Sequence, residues 1–287
     1  MVDASTKVFA VIGSPVEHSL SPQMHNASFF ALGLNCIYVA HHVEAHELGD
    51  AIAGFKALKY GGVNVTLPHK QAVLGYLDEL SGEARAIGAV NTLEFRDGRV
   101  VGHNTDGIGA LNALREAGVE VDGKRVLILG AGGAARAIAI TLAMRCEVAG
   151  ITLLGRTKEK LEALARDVER AGAKVTICLL GSAELRSTVE EHDIVIHATP
   201  VGMHPRTEET LLTAEHLASK PVVMDIVYTP RETRLLREAK KAGCRAIDGV
   251  GMLVHQGAEA ERIWLGVEPS IEAMRRAVLE ALEGAHH

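Results

Sequence analysis

Residues 125–136 read Arg-Val-Leu-Ile-Leu-Gly-Ala-Gly-Gly-Ala-Ala-Arg, an apolar strand that passes through a glycine loop into a helix. The loop matches the pattern G-x-G-x-x-A: Gly130 permits a tight turn, Gly132 lets backbone N–H groups approach a pyrophosphate, and Ala135 allows close helix–strand packing. The N-terminus of the helix adds a partial positive charge. The small residues could instead serve only the helix–sheet contact, but the strand and helix on either side favour a dinucleotide site.

Short β-branched runs alternate with helical patterns along the chain, which is typical of parallel sheets wrapped in helices. After residue 124, strands are predicted at 125–129, 151–154, 175–179, 194–197, 222–226 and 245–247. Such a series with intervening helices predicts a Rossmann-like, doubly wound dinucleotide-binding domain. Before residue 104, the predicted elements are strands 8–12, 36–40 and 62–66, helices 22–32 and 47–58, and a hairpin of 92–96 with 99–103.

The predicted fold class is therefore α/β, with an N-terminal α/β substrate domain in addition to the Rossmann-like domain. Helices predicted at 252–265 and 270–282 follow the last strand and are expected to pack back on the first domain. The substrate-binding and catalytic domain then comprises residues 1–106 and 251–287, and the nucleotide domain comprises residues 107–250. Because no long linker separates the two domains, they are expected to form a cleft.

Composition excludes several classes of function. With 47% hydrophobic and 23% charged residues among 287, the chain is not disordered, and its formal charge of −6 argues against a nucleic-acid partner. No apolar run approaches the ~20 residues of a membrane span, and the N-terminus does not resemble a signal peptide, so we expect a cytoplasmic protein. No zinc-hydrolase spacing of histidines is present and no metal is predicted. His286 and His287 are interpreted as the remnant of a purification tag.

The segment after the second strand of the nucleotide domain indicates which dinucleotide binds. It reads Leu153-Leu-Gly-Arg-Thr-Lys158 and lacks the carboxylate with which NAD sites hold the ribose hydroxyl. Arg156 and Thr157 instead offer a guanidinium and a hydroxyl to a 2′-phosphate, so NADP is predicted rather than NAD. Alternatively, Arg156, Lys158 and Lys160 only begin a solvated charged helix, although acidic residues are the ones usually favoured in a first turn.

Two serines of the first domain stand beside a predicted helix start. Ser21, before Pro22, is interpreted as an N-cap with proline at the first helical position, which leaves Ser19 unexplained. Hydroxyls beside a helix N-terminus also suit a substrate carboxylate, because the unsatisfied N–H groups and the helix dipole favour an anion there.

A lysine in an unfavourable position is the next candidate. Residues 64–70 read Asn-Val-Thr-Leu-Pro-His-Lys, and Pro68 is predicted to be the first helical position. Lys70 then lies in the first turn, where the helix dipole disfavours a cation, so it is a candidate proton donor or acceptor. Asp106 is either a second functional group or the N-cap of the next helix.

Seven segments, in order along nearly the whole chain, resemble the shikimate dehydrogenase family. They are His18-Ser-Leu-Ser-Pro22, Asn64-Val-Thr-Leu-Pro-His-Lys70, Gly88-Ala-Val-Asn-Thr92, Asn104-Thr-Asp-Gly107, Gly130-Ala-Gly-Gly-Ala134, Asp225-Ile-Val-Tyr228 and Asp248-Gly-Val-Gly-Met-Leu-Val-His-Gln256. The resemblance implies an NADP-dependent oxidoreductase that reversibly reduces 3-dehydroshikimate to shikimate with NADPH, in aromatic amino acid (chorismate) biosynthesis.

The resemblance also implies a role for individual residues. Lys70 and Asp106 correspond to the family's catalytic pair. The residues implied to bind the substrate are Ser19, Ser21, Thr66, Lys70, Asn91, Asp106, Tyr228 and Gln256. The residues implied to bind NADP are Gly130, Ala131, Gly132, Gly133, Ala134, Arg156, Thr157, Lys160, Ile226, Gly249 and Met252. The expected partner is this small-molecule substrate, and the chain is expected to be a monomer or homodimer.

The sequence departs from the family pattern at several positions. Gly155 replaces the Asn of the Asn-Arg-Thr segment, Lys160 stands near a later Arg, and His197-Ala-Thr199 replaces Asn-Ala-Thr. A lysine keeps the charge of arginine but loses its bidentate geometry, which leaves the strictness of NADP selection open. The alternative function is a quinate/shikimate dehydrogenase with NAD preference; a catalytically silent dinucleotide sensor is disfavoured because binding alone does not require Lys70 and Asp106.

Overall fold

The computed structural model describes residues 2–284; Met1 and residues 285–287, which include the two histidines attributed to a tag, lie outside the described residues. The chain divides into two compact units. The first runs to Thr105 and resumes at Val254, and the second is Asp106–Leu253. The sequence predicted these junctions after residues 106 and 250. The structure differs, since it counts Asp106 with the second unit.

The first unit is built on a mixed sheet. Its strands are β1 Lys7–Gly13, β2 Cys36–His42, β3 Gly62–Val65, β4 Glu79–Leu80, β5 Thr92–Arg96 and β6 Arg99–His103, in the order β2-β1-β3-β5-β6-β4. β1 pairs in parallel with β2 and β3, as the predicted crossovers require, whereas β5 and β6 form the predicted antiparallel hairpin. Its helices before the junction are α1 Ser21–Ala31, α2 Leu48–Ala57, α3 His69–Ala72 and α4 Gly82–Ile87.

Alternation along β1 explains why this sheet is buried on both faces, since successive side chains of a strand point to opposite sides. Phe9 and Val11 belong to one apolar cluster, and Ala10 and Ile12 belong to another. Trp264 packs against the first cluster, where its Nε1 donates to the carbonyl oxygen of Leu93 at 2.9 Å. The C-terminal segment therefore completes the core of the first unit.

The second unit is a parallel sheet wrapped in helices. Its strands are β7 Arg125–Leu129, β8 Gly150–Gly155, β9 Val175–Leu179, β10 Ile194–His197, β11 Val222–Asp225 and β12 Ala246–Ile247, in the order β12-β11-β10-β7-β8-β9. Every neighbouring pair is parallel, and counted from β7 this is the 3-2-1-4-5-6 order of the doubly wound fold. Its helices are α5 Asp106–Glu116, α6 Gly133–Arg145, α7 Lys158–Arg170, α8 Leu185–Glu190 and α9 Arg234–Ala242.

Two helices close the chain. α10 spans Val250–Leu265 and α11 spans Ile271–Gly284, and α11 packs against α1. The predicted α/β fold class is confirmed. Among residues 2–284, no helix combines the length and the apolarity that crossing a membrane would need.

Candidate active site

The glycine loop of the second unit has the geometry that its sequence predicts. Gly130 follows β7 with φ of +123°, a backbone conformation that side chains rarely adopt, and a Cβ there would lie 2.7 Å from the carbonyl oxygen of Ala198. Gly132 immediately precedes α6, and nothing lies within 4 Å of a Cβ built on Gly132 or Gly133. Ala135 is fully buried. The loop is thus tight at one end and open at the start of the helix, where a pyrophosphate would be received.

This loop lies at the point where the strand order of the sheet reverses. β7 pairs with β8 on one side and with β10 on the other, so the chain leaves in opposite directions on the two sides. Open α/β sheets bind their ligands at such a switch point, outside the carboxyl ends of the strands. Ala131 and Ala134 are half-buried there.

The remaining predicted NADP residues of the second unit lie in two places. Arg156, Thr157 and Lys160 are exposed where β8 passes into α7. Gly249 is buried directly before α10, and a Cβ there would lie 2.4 Å from the carbonyl oxygen of Ile226, so only glycine fits this approach of two backbones. Met252, on the first turns of α10, is 8% exposed.

The two serines of the first unit do not have the local roles that were predicted from the sequence. α1 begins at Ser21 itself, and Leu20 occupies the N-cap position, where its side chain makes no capping hydrogen bond. The interpretation of Ser21 as the N-cap is therefore wrong by one residue, because a proline is accepted at the second helical position as well as at the first. Ser19 Oγ accepts a hydrogen bond from the N–H of Ser21 at 3.3 Å. Ser19 thus contacts the N–H of the first residue of the helix.

The helix that carries Lys70 is a single turn and begins one residue later than predicted. α3 covers only His69–Ala72, and Pro68 is its N-cap residue rather than its first helical residue. Lys70 is indeed in the first turn, but a single turn aligns few peptide dipoles, so the dipole argument for this lysine loses most of its force. The turn is held by His69, which is 1% exposed and whose Nε2 contacts the carbonyl oxygen of Val43 at 2.7 Å. Lys70 itself is half-buried and its carbonyl oxygen accepts from the N–H of Val90.

Asn91 positions the end of the first unit. It is 3% exposed, its Oδ1 accepts the N–H of Thr105 at 2.8 Å, and its Nδ2 donates to Thr105 Oγ1 at 2.9 Å. Asp106 is the next residue, 8% exposed, and begins α5. Since Asp106 is the first helical residue, the residue that precedes the helix is Thr105, and the N-cap alternative for Asp106 does not apply.

Three further predicted substrate residues lie on separate elements. Thr66 follows β3, where its N–H donates to the carbonyl oxygen of Ile12 at 2.9 Å. Gln256 is half-buried on the part of α10 that belongs to the first unit. Tyr228 lies after β11 in the second unit, where burial raises the pKa of its phenol.

The sequence assigned no role to Tyr38 and Asn64, a buried polar pair that supports Asn91. Tyr38, 1% exposed on β2, donates its hydroxyl to Oδ1 of Asn64 at 2.7 Å. Asn64 Nδ2 in turn donates to the carbonyl oxygen of Asn91 at 3.1 Å and to Thr92 Oγ1 at 3.0 Å. The only signal in the sequence is that Asn64 opens a segment already noted for Lys70, since Tyr38 is 26 positions away.

Comparison with known proteins gives three family matches along the chain. The shikimate dehydrogenase substrate binding domain matches residues 11–93. Residues 112–249 match the shikimate / quinate 5-dehydrogenase family, and residues 249–279 match the shikimate 5′-dehydrogenase C-terminal domain. The matches cover most of both units.

Individual relatives resemble the chain over nearly its full length. A shikimate dehydrogenase (NADP(+)) of Methanosarcina mazei is 50% identical over 280 residues, which are 96% of this chain and 99% of the relative. Shikimate 5-dehydrogenase from Listeria monocytogenes, solved in complex with shikimate and NAD, has a TM-score of 0.92 at 39% identity and covers 96% of this chain and 97% of its own. The enzyme from Thermus thermophilus, solved with NADP(H) and shikimate, has a TM-score of 0.86 at 37% identity and covers 96% and 100%. The chain belongs to the shikimate dehydrogenase family.

Proposed function

We propose that this protein is an NADP-dependent shikimate dehydrogenase, which reversibly reduces the ketone of 3-dehydroshikimate to the hydroxyl of shikimate. One observation carries the proposal: the chain is 50% identical, over 96% of its length, to a relative of that name. The geometry of each unit supports it. Through this reaction the protein would take part in aromatic amino acid biosynthesis.

The second unit is suited to bind the dinucleotide. The open approach at Gly132 and Gly133 leaves room for a pyrophosphate against the N-terminus of the 13-residue helix α6. Arg156 and Lys160 are exposed and positively charged near the start of α7, where a 2′-phosphate would be held. Lys158 instead forms an ion pair with Glu162 at 3.7 Å, so the alternative of a solvated charged helix describes this residue.

The first unit supplies polar groups for the substrate. Ser19 and Ser21 offer hydroxyls to its carboxylate, and Thr66, Asn91 and Gln256 offer hydroxyl and amide groups to its ring hydroxyls. Asn91 suits this role because its amide is fixed by Thr105, so that little side-chain entropy remains to be lost on binding. Tyr228 of the second unit is assigned to bind the substrate on the side of its carboxylate.

Lys70 and Asp106 are assigned the acid–base chemistry. Bound NADPH supplies the hydride for the carbonyl carbon of the substrate. Lys70, as an ammonium, donates a proton to the carbonyl oxygen and stabilises the negative charge that develops there. Asp106, as a carboxylate, accepts a hydrogen bond from a ring hydroxyl of the substrate and so orients the ring. In the reverse direction Lys70 takes the proton back from the hydroxyl of shikimate.

The proposal extends to a cytoplasmic protein and to a monomer or homodimer. All four cysteines, Cys36, Cys146, Cys178 and Cys244, are free thiols, as is typical of a reducing compartment. Size-exclusion chromatography with light scattering measures the oligomeric state directly, and a larger assembly would correct this part of the proposal.

The decisive experiment compares kcat/KM for shikimate and quinate, each with NADP and with NAD, by absorbance at the nicotinamide band. The expected result is the highest value for shikimate with NADP. A higher value for quinate with NAD would establish the alternative function. Absence of turnover with all four combinations, in a protein shown to be folded, would refute the proposed function.

A further inference from the structure

His197 joins the ends of two neighbouring strands of the second unit. It ends β10, and Asp225, its direct register partner, ends β11. His197 Nδ1 lies 2.9 Å from Asp225 Oδ1, and His197 Nε2 lies 2.6 Å from Thr199 Oγ1. His197 is 2% exposed and Asp225 is fully buried. We propose, on the basis of the proposed function, that His197 is a positioning residue for the dinucleotide, which fixes Thr199 and through it the turn at Gly130.

The direction of each hydrogen bond follows from the partners of Asp225. Its carboxylate also accepts from the N–H of Val227 at 3.0 Å and from the hydroxyl of Thr233 at 2.6 Å, so it acts as an acceptor throughout. His197 Nδ1 therefore carries a proton and donates to Asp225. In the neutral imidazole Nε2 is then the acceptor, and the hydroxyl of Thr199 donates to it.

In this arrangement the Thr199 hydroxyl acts both as a hydrogen-bond donor and as an acceptor. Its proton goes to His197, and its oxygen accepts from the N–H of Val201 at 3.2 Å. A hydroxyl that donates in one direction and accepts from another holds its side chain in one rotamer. Thr199 is half-buried, so without these bonds its side chain would be free to take another rotamer.

The fixed rotamer of Thr199 matters because of what it touches. Thr199 Cγ2 lies 3.1 Å from the position of a Cβ on Gly130, next to the carbonyl oxygen of Ala198 at 2.7 Å. Ala198 is itself tied to β7, because its N–H donates to the carbonyl oxygen of Leu129 at 2.8 Å. The side chain of Thr199 is therefore packed against the turn that opens the glycine loop, at the switch point of the sheet.

Histidine makes this link where asparagine would not. An asparagine side chain is one bond shorter and has no atom at the place of Nε2, although its amide nitrogen can still donate to Asp225. His197→Asn therefore removes the bond to Thr199 and keeps a partner for the buried carboxylate. Thr199→Val removes the same bond from the other side and keeps the shape of the side chain.

The test measures equilibrium binding of NADP+ by isothermal titration calorimetry, without substrate. His197→Asn and Thr199→Val are each expected to raise Kd about three- to tenfold, the effect of about one hydrogen bond. The double variant is expected to bind like either single variant, because both remove the same bond. Shikimate binding by the same variants is expected to be unchanged.

A matched control is available in the same unit. His192 Nε2 contacts Thr152 Oγ1 at 2.8 Å, a similar histidine–threonine pair in which the histidine lies before β10 and the threonine lies on β8. His192→Asn is expected to leave Kd for NADP+ unchanged.

Three results would overturn the inference: folded His197→Asn and Thr199→Val variants that bind NADP+ like the wild type, additive effects in the double variant, or an equal loss of affinity in the His192→Asn control. If His197→Asn does not fold, Thr199→Val alone decides. A wild-type protein that binds no NADP+ would instead refute the proposed function, and the inference with it.

Discussion

Replacement of Gly130 by alanine is the most direct test of the dinucleotide loop. The residue has φ of +123°, and an added Cβ would meet the carbonyl oxygen of Ala198 at 2.7 Å and Thr199 Cγ2 at 3.1 Å. Ala198 cannot easily give way, because its N–H is bonded to β7. Either the turn must open or β7 and β10 must separate at their carboxyl ends.

The expected magnitude follows from these two effects. Holding a residue with a side chain in a sparsely populated backbone region costs about 1–3 kcal/mol. Forcing an atom into a packed site costs about 1–3 kcal/mol more. The free energy of unfolding of the second unit should therefore fall by roughly 2–6 kcal/mol, of which the lower bound alone corresponds to a fall in Tm of roughly 4–8 °C. NADP+ binding should weaken at least tenfold, because a displaced loop would not present its N–H groups to a pyrophosphate together.

Thermal unfolding and calorimetry with NADP+ separate these two effects, with the transition of the second unit identified by its upward shift when NADP+ is added. Gly132→Ala is the first matched variant: a Cβ there has open space around it, so Tm should be retained while the approach of the pyrophosphate is obstructed and Kd rises. Gly150→Ala is the second, because its Cβ would meet nothing nearer than 3.7 Å, and neither Tm nor Kd should change. A Gly130→Ala protein with the Tm and the NADP+ affinity of the wild type would refute the reasoning.

Four further predictions concern single residues. Lys70→Ala should lower kcat by ~10² or more while Kd for NADP+ is retained in calorimetry, and near-normal turnover by the folded variant would contradict its assignment as the acid. Ser19→Ala should raise KM for shikimate with little change in kcat, because a carboxylate anchor acts alike in ground and transition states; a selective fall in kcat would contradict this role. Arg156→Ala should raise KM for NADP about tenfold or more and leave KM for NAD unchanged, whereas equal effects on both would exclude a contact with the 2′-phosphate. Burial lowers the pKa of His192 below its usual 6.5. The unfolded chain therefore takes up a proton more readily than the folded protein. The stability contributed by the neutral ring is lost as the pH falls below about 6.5. The difference in Tm between the wild type and His192→Asn should therefore shrink from about pH 8 to about pH 5.5, and a difference that grows toward acid would contradict the shift.

The regular elements were predictable because their signals are local. The strands at Thr92–Arg96, Arg99–His103, Arg125–Leu129, Val175–Leu179 and Ile194–His197 begin and end where the sequence places them. Each is a short run of β-branched and apolar residues bounded by turn-forming or charged ones, and that pattern depends on neighbours in the chain alone. By contrast, the two-residue strand β4 and the single-turn helix α3 are too short to show a period, so their existence or extent was not predictable.

The two errors at proline-containing helix starts have one cause. Ser21 and Pro68 were each assigned from the rule that proline occupies the first helical position, and each is displaced by one place in the structure. Proline satisfies the same steric condition at neighbouring positions, so the sequence limits the helix start to about one turn and packing selects the residue.

The candidate site also has features that are carried by contiguous residues and features that depend on contacts between distant residues. The order of elements, the glycine loop with Gly130 and the family segments around Lys70 and Asp106 are written in contiguous residues, so the sequence by itself determined the doubly wound fold, the dinucleotide loop and the family. Only the tertiary structure revealed that Asp225 reaches Thr199 through His197, and that Tyr38 orients Asn64. These contacts join residues that are brought together by strand pairing, up to 28 positions apart for His197 and Asp225. A hydrogen bond across a sheet depends on register and burial, which no local pattern of side chains records.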